Sequence, residues 1–409
     1  MKYASGIALA LCLTACAAPP TVVPTASEPV RADLTPTPPG TPTPGVPGPG
    51  EATAVSVLPG VPAEIQVAFV FDDRLWLWQD GVGVPLTSLS TASAFAFSSD
   101  GQQLAFARDD GLWVVTADGA SESVLVGSES FMTLPPTDPG VRLNAFGWRP
   151  GHSQLLFNTA SAVDANQLTL DLYRVDLETL GRDNPAPPGA GGAFWPSLNG
   201  RHLALVRAEG LALLDLDTGD LRSGLDYAPV AIGDGVSWLP QPVWLPDSSA
   251  VLVLIPDGEE SVVWRVPVTG EAEPLDRLPV ALGAVLAPDG ASVAYTRDDG
   301  VWVRTLADQA EAAWAPAGFT VSQWLPDSRR LLVDQTEVGL IFITSAAGEP
   351  IRLRDQFISA IRWLNGDAFV YTSVDPTGET LRMAVLDGPE IVIAGPSPSV
   401  LPFVVNLPR

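Results

Sequence analysis

Phe95–Phe106 reads FAFSSDGQQLAF and Val285–Tyr295 reads VLAPDGASVAY. Each is an alternating apolar run, a tight turn and a second apolar run. Proline presets φ for such a turn, Asp or Asn bonds its own backbone, and Gly accepts positive φ. Alternation of period two around turn chemistry is the pattern of paired antiparallel strands. The pattern returns in Val243–Val253 (VWLPDSSAVLV) and Gln323–Val333 (QWLPDSRRLLV). Looser copies are Phe146–Phe157 (FGWRPGHSQLLF), Phe194–Leu205 (FWPSLNGRHLAL) and Ile361–Tyr371 (IRWLNGDAFVY). A third strand follows each copy, as in Gly111–Ala117 (GLWVVTA), Gly210–Leu216 (GLALLDL) and Gly300–Leu306 (GVWVRTL). A weaker fourth strand ends the unit, as in Ser123–Gly127 (SVLVG).

The equivalent positions Phe97, Trp148, Pro196, Trp244, Leu286, Trp324 and Trp363 lie 51, 48, 48, 42, 38 and 39 residues apart. Four-stranded units of this length are the blades of a propeller. The array is similar to the WD40-like/TolB-type β-propeller repeat, over essentially all of 63–409. That repeat is marked by an aromatic residue, Ser/Leu-Pro-Asp-Gly/Ser and an apolar-Ala-aromatic strand. Three strands precede the first full copy: Ile65–Phe71, Arg74–Asp80 and Val84–Leu89. One follows the last, Val400–Leu407. Together they complete a blade and remove the exposed edges of an open ring. We therefore expect an all-β fold, an eight-bladed propeller of four-stranded antiparallel sheets. Seven blades is the alternative if one loose copy is a loop.

The N-terminus has a different character. Met1–Cys16 reads MKYASGIALALCLTAC: one cation, Lys2, ahead of an apolar run too short to cross a bilayer. Leu13-Thr14-Ala15-Cys16 resembles the bacterial lipobox. The resemblance implies that Leu13, Thr14 and Ala15 are read by lipoprotein signal peptidase, which cleaves before Cys16. It also implies diacylglycerol on the Cys16 sulfur, with palmitate-like chains holding the protein at a membrane. Residues 1–15 are thus expected to be a lipoprotein signal peptide. Residues 16–62 are expected to be a disordered Pro/Thr/Gly-rich linker: Pro19–Pro49 holds 11 prolines in 31 residues. Such a segment favours extended polyproline geometry at about 3.1 Å per residue.

Composition removes several function classes. Of 409 residues, 47 are acidic and 22 are Lys or Arg, a net charge of −25 that repels polyphosphate, so no nucleic-acid partner is expected. Two Cys and two His leave little for a disulfide framework, a zinc cage or a triad. The pairs Asp72-Asp73, Asp109-Asp110 and Asp298-Asp299 look like acid/base dyads. Each precedes the same apolar-Trp strand, however, so they read as repeated hairpin turns. His152 and His202 fall at or beside the tight turns. No G-x-S-x-G is present, so no hydrolase elbow is expected. We expect no catalytic residue, no metal and no cofactor.

In a four-stranded blade the first-to-second and third-to-fourth turns share one face. The second-to-third turns and the blade-to-blade connections share the other. Extra residues at 128–143, 159–169, 182–192 and 228–241 should all emerge on that second face. Function on rigid scaffolds concentrates in such loops, which makes Phe131, Met132, Asp138, Asp164, Asn166, Asp234 and Trp238 the candidate binding face. The expected protein is a lipid-anchored, non-enzymatic scaffold in the cell envelope, on the outer face of the cytoplasmic membrane or in the periplasm. It would act as a monomeric propeller that binds a protein or envelope polymer. TolB-like proteins carry a further N-terminal α/β domain; a proline-rich spacer stands in its place here, so a Tol-system role is not expected. The alternative is a secreted carbohydrate-binding or carbohydrate-active propeller of lyase or hydrolase type. It predicts acidic and basic groups clustered at one mouth of the channel.

Overall fold

The computed structural model describes residues 58–407, apart from 63, 89–91, 133–139, 162–167, 234–235, 336–338 and 347. Leu13, Thr14, Ala15, Cys16 and most of the proline-rich segment lie outside the described residues.

The chain forms eight four-stranded antiparallel sheets. Blade 2 shows the unit: Ala94–Phe97, Gln103–Arg108, Gly111–Thr116 and Glu122–Gly127, each paired with the next. The unit recurs as blade 3 from Val141–Trp148, blade 4 from Ala193–Pro196 and blade 5 from Val243–Trp244. Blades 6, 7 and 8 begin with Val285–Leu286, Phe319–Trp324 and Phe357–Trp363. The first strands of blades 2 and 3 touch, as do those of blades 6 and 7, which places first strands on the inner ring. Fourth strands form the rim; those of blades 3 and 7 are two residues long, Arg182–Asp183 and Ile351–Arg352.

Blade 1 is composite. Gln66–Phe71, Arg74–Gln79 and Val82–Pro85 receive Phe403–Asn406 as their inner strand, with Gln66 opposite Asn406 and Phe69 opposite Phe403. Its outer and inner strands are shorter than the apolar runs Val84–Leu89 and Val400–Leu407 suggest, because each gives way to connecting loop. Side chains fasten the closure. Asn406 Nδ2 donates to Gln66 Oε1 at 2.8 Å, and Gln66 Nε2 donates to Gln79 Oε1 at 3.2 Å. The buried Glu379 carboxylate of blade 8 accepts the Leu401 N–H and the Ser359 hydroxyl, which fixes the approach to the last strand.

The apolar core is divided as the ring is. Eight clusters occur, one at each blade boundary. Leu104 and Phe106 pack on Leu75 and Leu77 between blades 1 and 2, and Phe146 and Phe157 on Ala105 and Leu112 between 2 and 3. The last cluster joins Val370, Leu381 and Met383 of blade 8 to Val67, Phe69 and Phe403 of blade 1. Alternation along each strand supplies both sides: odd positions meet one neighbour and even positions the other. Three tryptophans at the ends of inner strands add a polar bond across a boundary. Trp148, Trp244 and Trp324 donate Nε1–H to the carbonyls of Ala96, Trp195 and Val285 at 2.9, 3.0 and 3.0 Å. Trp363 occupies the same position in blade 8, yet its buried Nε1 has no partner.

Candidate interaction face

The ring has two unlike faces. The first carries the first-to-second and third-to-fourth turns and is called the turn face here. Its turns are short and stitched to one another. The Ser98 hydroxyl donates to Asp100 Oδ1 at 2.6 Å, and the Ser197 hydroxyl to Asn199 Oδ1 at 2.8 Å. Backbone N–H groups of Gly151, Asn199 and Asp289 donate to the hydroxyls of Ser99, Ser248 and Ser328 in adjacent blades, at 3.1–3.2 Å. The Ser98 hydroxyl and the Gln102 N–H hold the Asp100 carboxyl below the ordinary carboxylate range. Gly200 has φ of +70°, and a Cβ there would lie 2.0 Å from the Pro150 carbonyl oxygen.

Both histidines are on this face. His152 Nδ1 lies 2.9 Å from the Pro150 carbonyl. His202 opens the second strand of blade 4, 3.9 Å from Asp215, and stacks on Trp244 at 6.4 Å between ring centroids. Burial holds the His202 imidazole below its usual value, against the opposing pull of Asp215. The chain also enters the ring on this side. Asn365 Nδ2, in the first turn of blade 8, donates to the Gly60 carbonyl at 2.9 Å, and Leu58 and Val61 pack into the cluster between blades 8 and 1.

The opposite face carries the second-to-third hairpins and the blade-to-blade connections, and is called the loop face. The described parts of the four segments with extra residues border it. In 128–143, Ser128–Met132 forms one helical turn between blades 2 and 3. In 228–241, Ala231–Gly233 pairs with Val236–Ser237 as a small hairpin between blades 4 and 5. Sequence patterning does not reveal these two pieces, since each is too short to express a period. Residues 159–161 and 168–169 continue the strands of blade 3, and 182–183 are its rim strand.

Of the candidate binding residues, Trp238 is half-buried just after that hairpin, and its backbone N–H donates to the Val230 carbonyl at 2.7 Å. The backbone of Phe131 and Met132 closes the short helix. Asp138, Asp164, Asn166 and Asp234 lie outside the described residues.

The paired aspartates are on the loop face, and in two of the pairs the second aspartate is engaged in its own hairpin. Asp110 accepts the Trp113 indole N–H at 2.9 Å and both arms of Arg108 at 3.1 Å, while the Arg108 guanidinium lies over the Trp113 ring at 4.1 Å. Blade 6 repeats the device: Trp302 donates to Asp299 at 2.8 Å beneath Arg297 at 4.2 Å. In blade 1 both Asp72 and Asp73 have positive φ, 49° and 56°, and Trp76 donates to the Phe71 carbonyl instead. Among the described residues no group of three or more His, Cys, Asp or Glu is placed to hold a metal ion.

Leu170, Ile232, Leu282, Phe357, Val374 and Val400 are exposed apolar side chains of the loop face, and Leu180 and Leu198 of the turn face. Val82, Val84, Val124, Ile351 and Val392 are exposed on rim strands, Val82 and Ile351 at the turn-face end. Phe357 and Val374 stand directly opposite each other at the loop-face end of blade 8. Sequence reading misses this pair, because both occupy ordinary strand positions and only the ring geometry leaves them uncovered. One half-buried carboxyl is nearby in topology. Asp334, at the loop-face end of the second strand of blade 7, is held above the ordinary range by burial, with the Ser322 hydrogen bond opposing.

No protein-family profile matches the chain, and no curated protein matches it. Solved structures resemble it in fold alone. An oligogalacturonate lyase from Vibrio parahaemolyticus is 13% identical, with a TM-score of 0.45 over 66% of this chain and 83% of that one. A eukaryotic initiation factor is 11% identical, with a TM-score of 0.49 over 80% and 95%. The β-propeller domain of the Trilobed protease from Pyrococcus furiosus is 14% identical, with a TM-score of 0.43 over 63% and 84%.

Proposed function

We propose that this chain is a lipid-anchored, extracytoplasmic β-propeller that serves as a non-enzymatic scaffold, binding a protein or envelope component through its loop face. The observation that carries the reading is the segregation of the two faces. Enlarged connections lie on one side of a stitched ring, together with the exposed cross-strand pair Phe357 and Val374, while the N-terminal segment joins the other. Connections that vary in length on a rigid frame are the usual place for recognition. In two of the three aspartate pairs one carboxyl is already engaged, since Asp110 and Asp299 each accept an indole N–H within their own hairpin. The WD40-like/TolB-type character of the repeat and the lipobox at Leu13–Cys16 support an envelope setting.

Two measurements test this. Cys16→Ser is expected to move the protein from the membrane fraction to the soluble one; retention in the membrane would defeat the anchor. Chemical cross-linking in intact envelopes should give partners that disappear when 128–143 and 228–241 are both shortened. Turnover of a polysaccharide by the purified chain would replace the scaffold with the carbohydrate-active alternative.

A further inference from the structure

Resting on the scaffold reading, we infer that the loop-face end of blade 8 is a docking patch for a cationic protein segment that inserts one large apolar side chain. Phe357 and Val374 form a cross-strand pair 52% and 44% exposed, and Val400, 77% exposed, stands on the connection that leaves the same blade. The three are joined through the fold. Val374 is opposite Glu379, whose carboxylate accepts the Leu401 N–H, and the Pro402 carbonyl accepts the Val70 N–H of blade 1. On the other side the Phe357 ring lies against Gly339, where an added Cβ would sit 3.6 Å from its edge. An exposed aromatic with an exposed aliphatic side chain directly opposite it, on a backbone held by hydrogen bonds, suits an apolar anchor better than a solvated surface.

Charge selects among occupants. Asp72 and Asp73 on the blade 1 hairpin, Asp355 just before Phe357 and Asp375 just after Val374 are all exposed. Arg352 is already paired with Asp355 at 3.2 Å, and Arg382, which acts on Asp375, with Glu390 at 2.9 Å, which leaves Arg74 against the remaining carboxylates. A second copy of this chain would bring the same carboxylates together and be repelled, and the chain's own N-terminal segment enters on the opposite face. A Lys/Arg-rich segment meets the frame favourably and gains in association rate as well as selectivity.

The test uses two fluorescein-labelled pentapeptides, four lysines around a central tryptophan and the same peptide with a central alanine. Anisotropy titrations of the full chain at two salt concentrations should show the tryptophan peptide binding about tenfold more tightly, the scale of one buried aromatic anchor. The Phe357→Ser/Val374→Ser double variant should erase that tenfold difference. Asp355→Asn/Asp375→Asn should weaken both peptides together and flatten the salt dependence. Leu180→Ser/Leu198→Ser on the turn face should leave both affinities unchanged. All substitutions are at exposed positions, and matching thermal melts confirm that each variant is folded. Equal affinity of the two peptides for the unmodified chain would overturn the patch, as would a tenfold preference surviving in Phe357→Ser/Val374→Ser. Saturable binding of a neutral hexasaccharide that is lost in Phe357→Ser would overturn the partner class. If the peptides fail to discriminate while shortening 228–241 still abolishes cross-linked partners, the patch falls and the scaffold stands. Enzymatic turnover removes both.

Discussion

The turn face and the loop face are made by opposite ends of the same strands, yet they solve different problems. At the turn-face end, hydroxyls cap neighbouring turns and three of four equivalent tryptophans bond across blade boundaries. At the loop-face end, blades are joined by connections of unequal length, and apolar side chains remain exposed. The difference teaches that closure and variability are kept at opposite ends of the blades. A ring held at one end tolerates insertion at the other, because the added chain need not carry the boundary contacts.

The sharpest way to break the comparison is to remove the closing strand. A chain ending at Pro402 loses the inner strand of blade 1, uncovers Val67 and Phe69 and leaves the Gln66–Phe71 edge unpaired. The buried Phe403 alone is worth about 3–5 kcal/mol by the measure of large-to-small core changes. The expected result is loss of the cooperative denaturant transition, together with aggregation; a normal transition midpoint would show that closure does not hold the ring.

A matched pair of glycines compares the faces directly. Gly200 on the turn face has φ of +70° with the Pro150 carbonyl where a Cβ would go, while Gly258 on the loop face has φ of +68° and open space. Gly258→Ala carries the left-handed backbone penalty alone, about 1 kcal/mol, whereas Gly200→Ala adds a backbone clash and should cost about 2–3 kcal/mol. Equal shifts in urea midpoint would mean that the turn face is less tightly packed than its contacts imply.

Tryptophan to phenylalanine changes sharpen the picture within the turn-face clamps. Trp148→Phe deletes a bond to the Ala96 carbonyl, and Trp363→Phe deletes an indole N–H that has no partner. The first should cost about 1 kcal/mol more than the second after the shared loss of ring volume. The ranking is read from paired thermal melts, and reversal would place an acceptor near Trp363.

The smallest effect is a pH dependence of opposite sign at the two faces. Burial raises the Asp334 carboxyl, so its ionised form weighs against the fold at neutral pH, and the penalty fades as pH falls through its raised value. Asp334→Asn should therefore be the more stable protein near pH 7 and lose that advantage below the ordinary carboxylate range. Asp100 on the turn face is lowered by the Ser98 hydroxyl, so its contribution is present above the ordinary value and is lost as pH falls through the lowered one. Ser98→Ala should shallow that acid limb, as followed by melting temperature across pH.

The blades were legible from residues such as Pro288-Asp289-Gly290 and Trp324-Leu325-Pro326, because turn chemistry and alternation are local properties of consecutive residues. The three strands before the first full copy and the one after the last were enough to predict closure with eight blades, and the structure has eight. Other features carried no local signal. Trp363 reads like Trp148, Trp244 and Trp324, but the preceding inner strand, which would offer the acceptor, has a register shift between Val321 and Gln323. The short helix at Ser128–Met132 and the hairpin at Ala231–Ser237 lie below the length at which a period declares itself.

From its sequence alone the chain determined strand, turn and repeat, and through them the number of blades, since each depends on residues within about ten positions of one another. The tertiary structure decided which tryptophan keeps a bond, which aspartates are engaged in their hairpins and which apolar side chains stay exposed. The tryptophan bonds and the exposures depend on how one sheet meets the next across a boundary, where partners are far apart in the chain, 52 residues for Trp148 and Ala96.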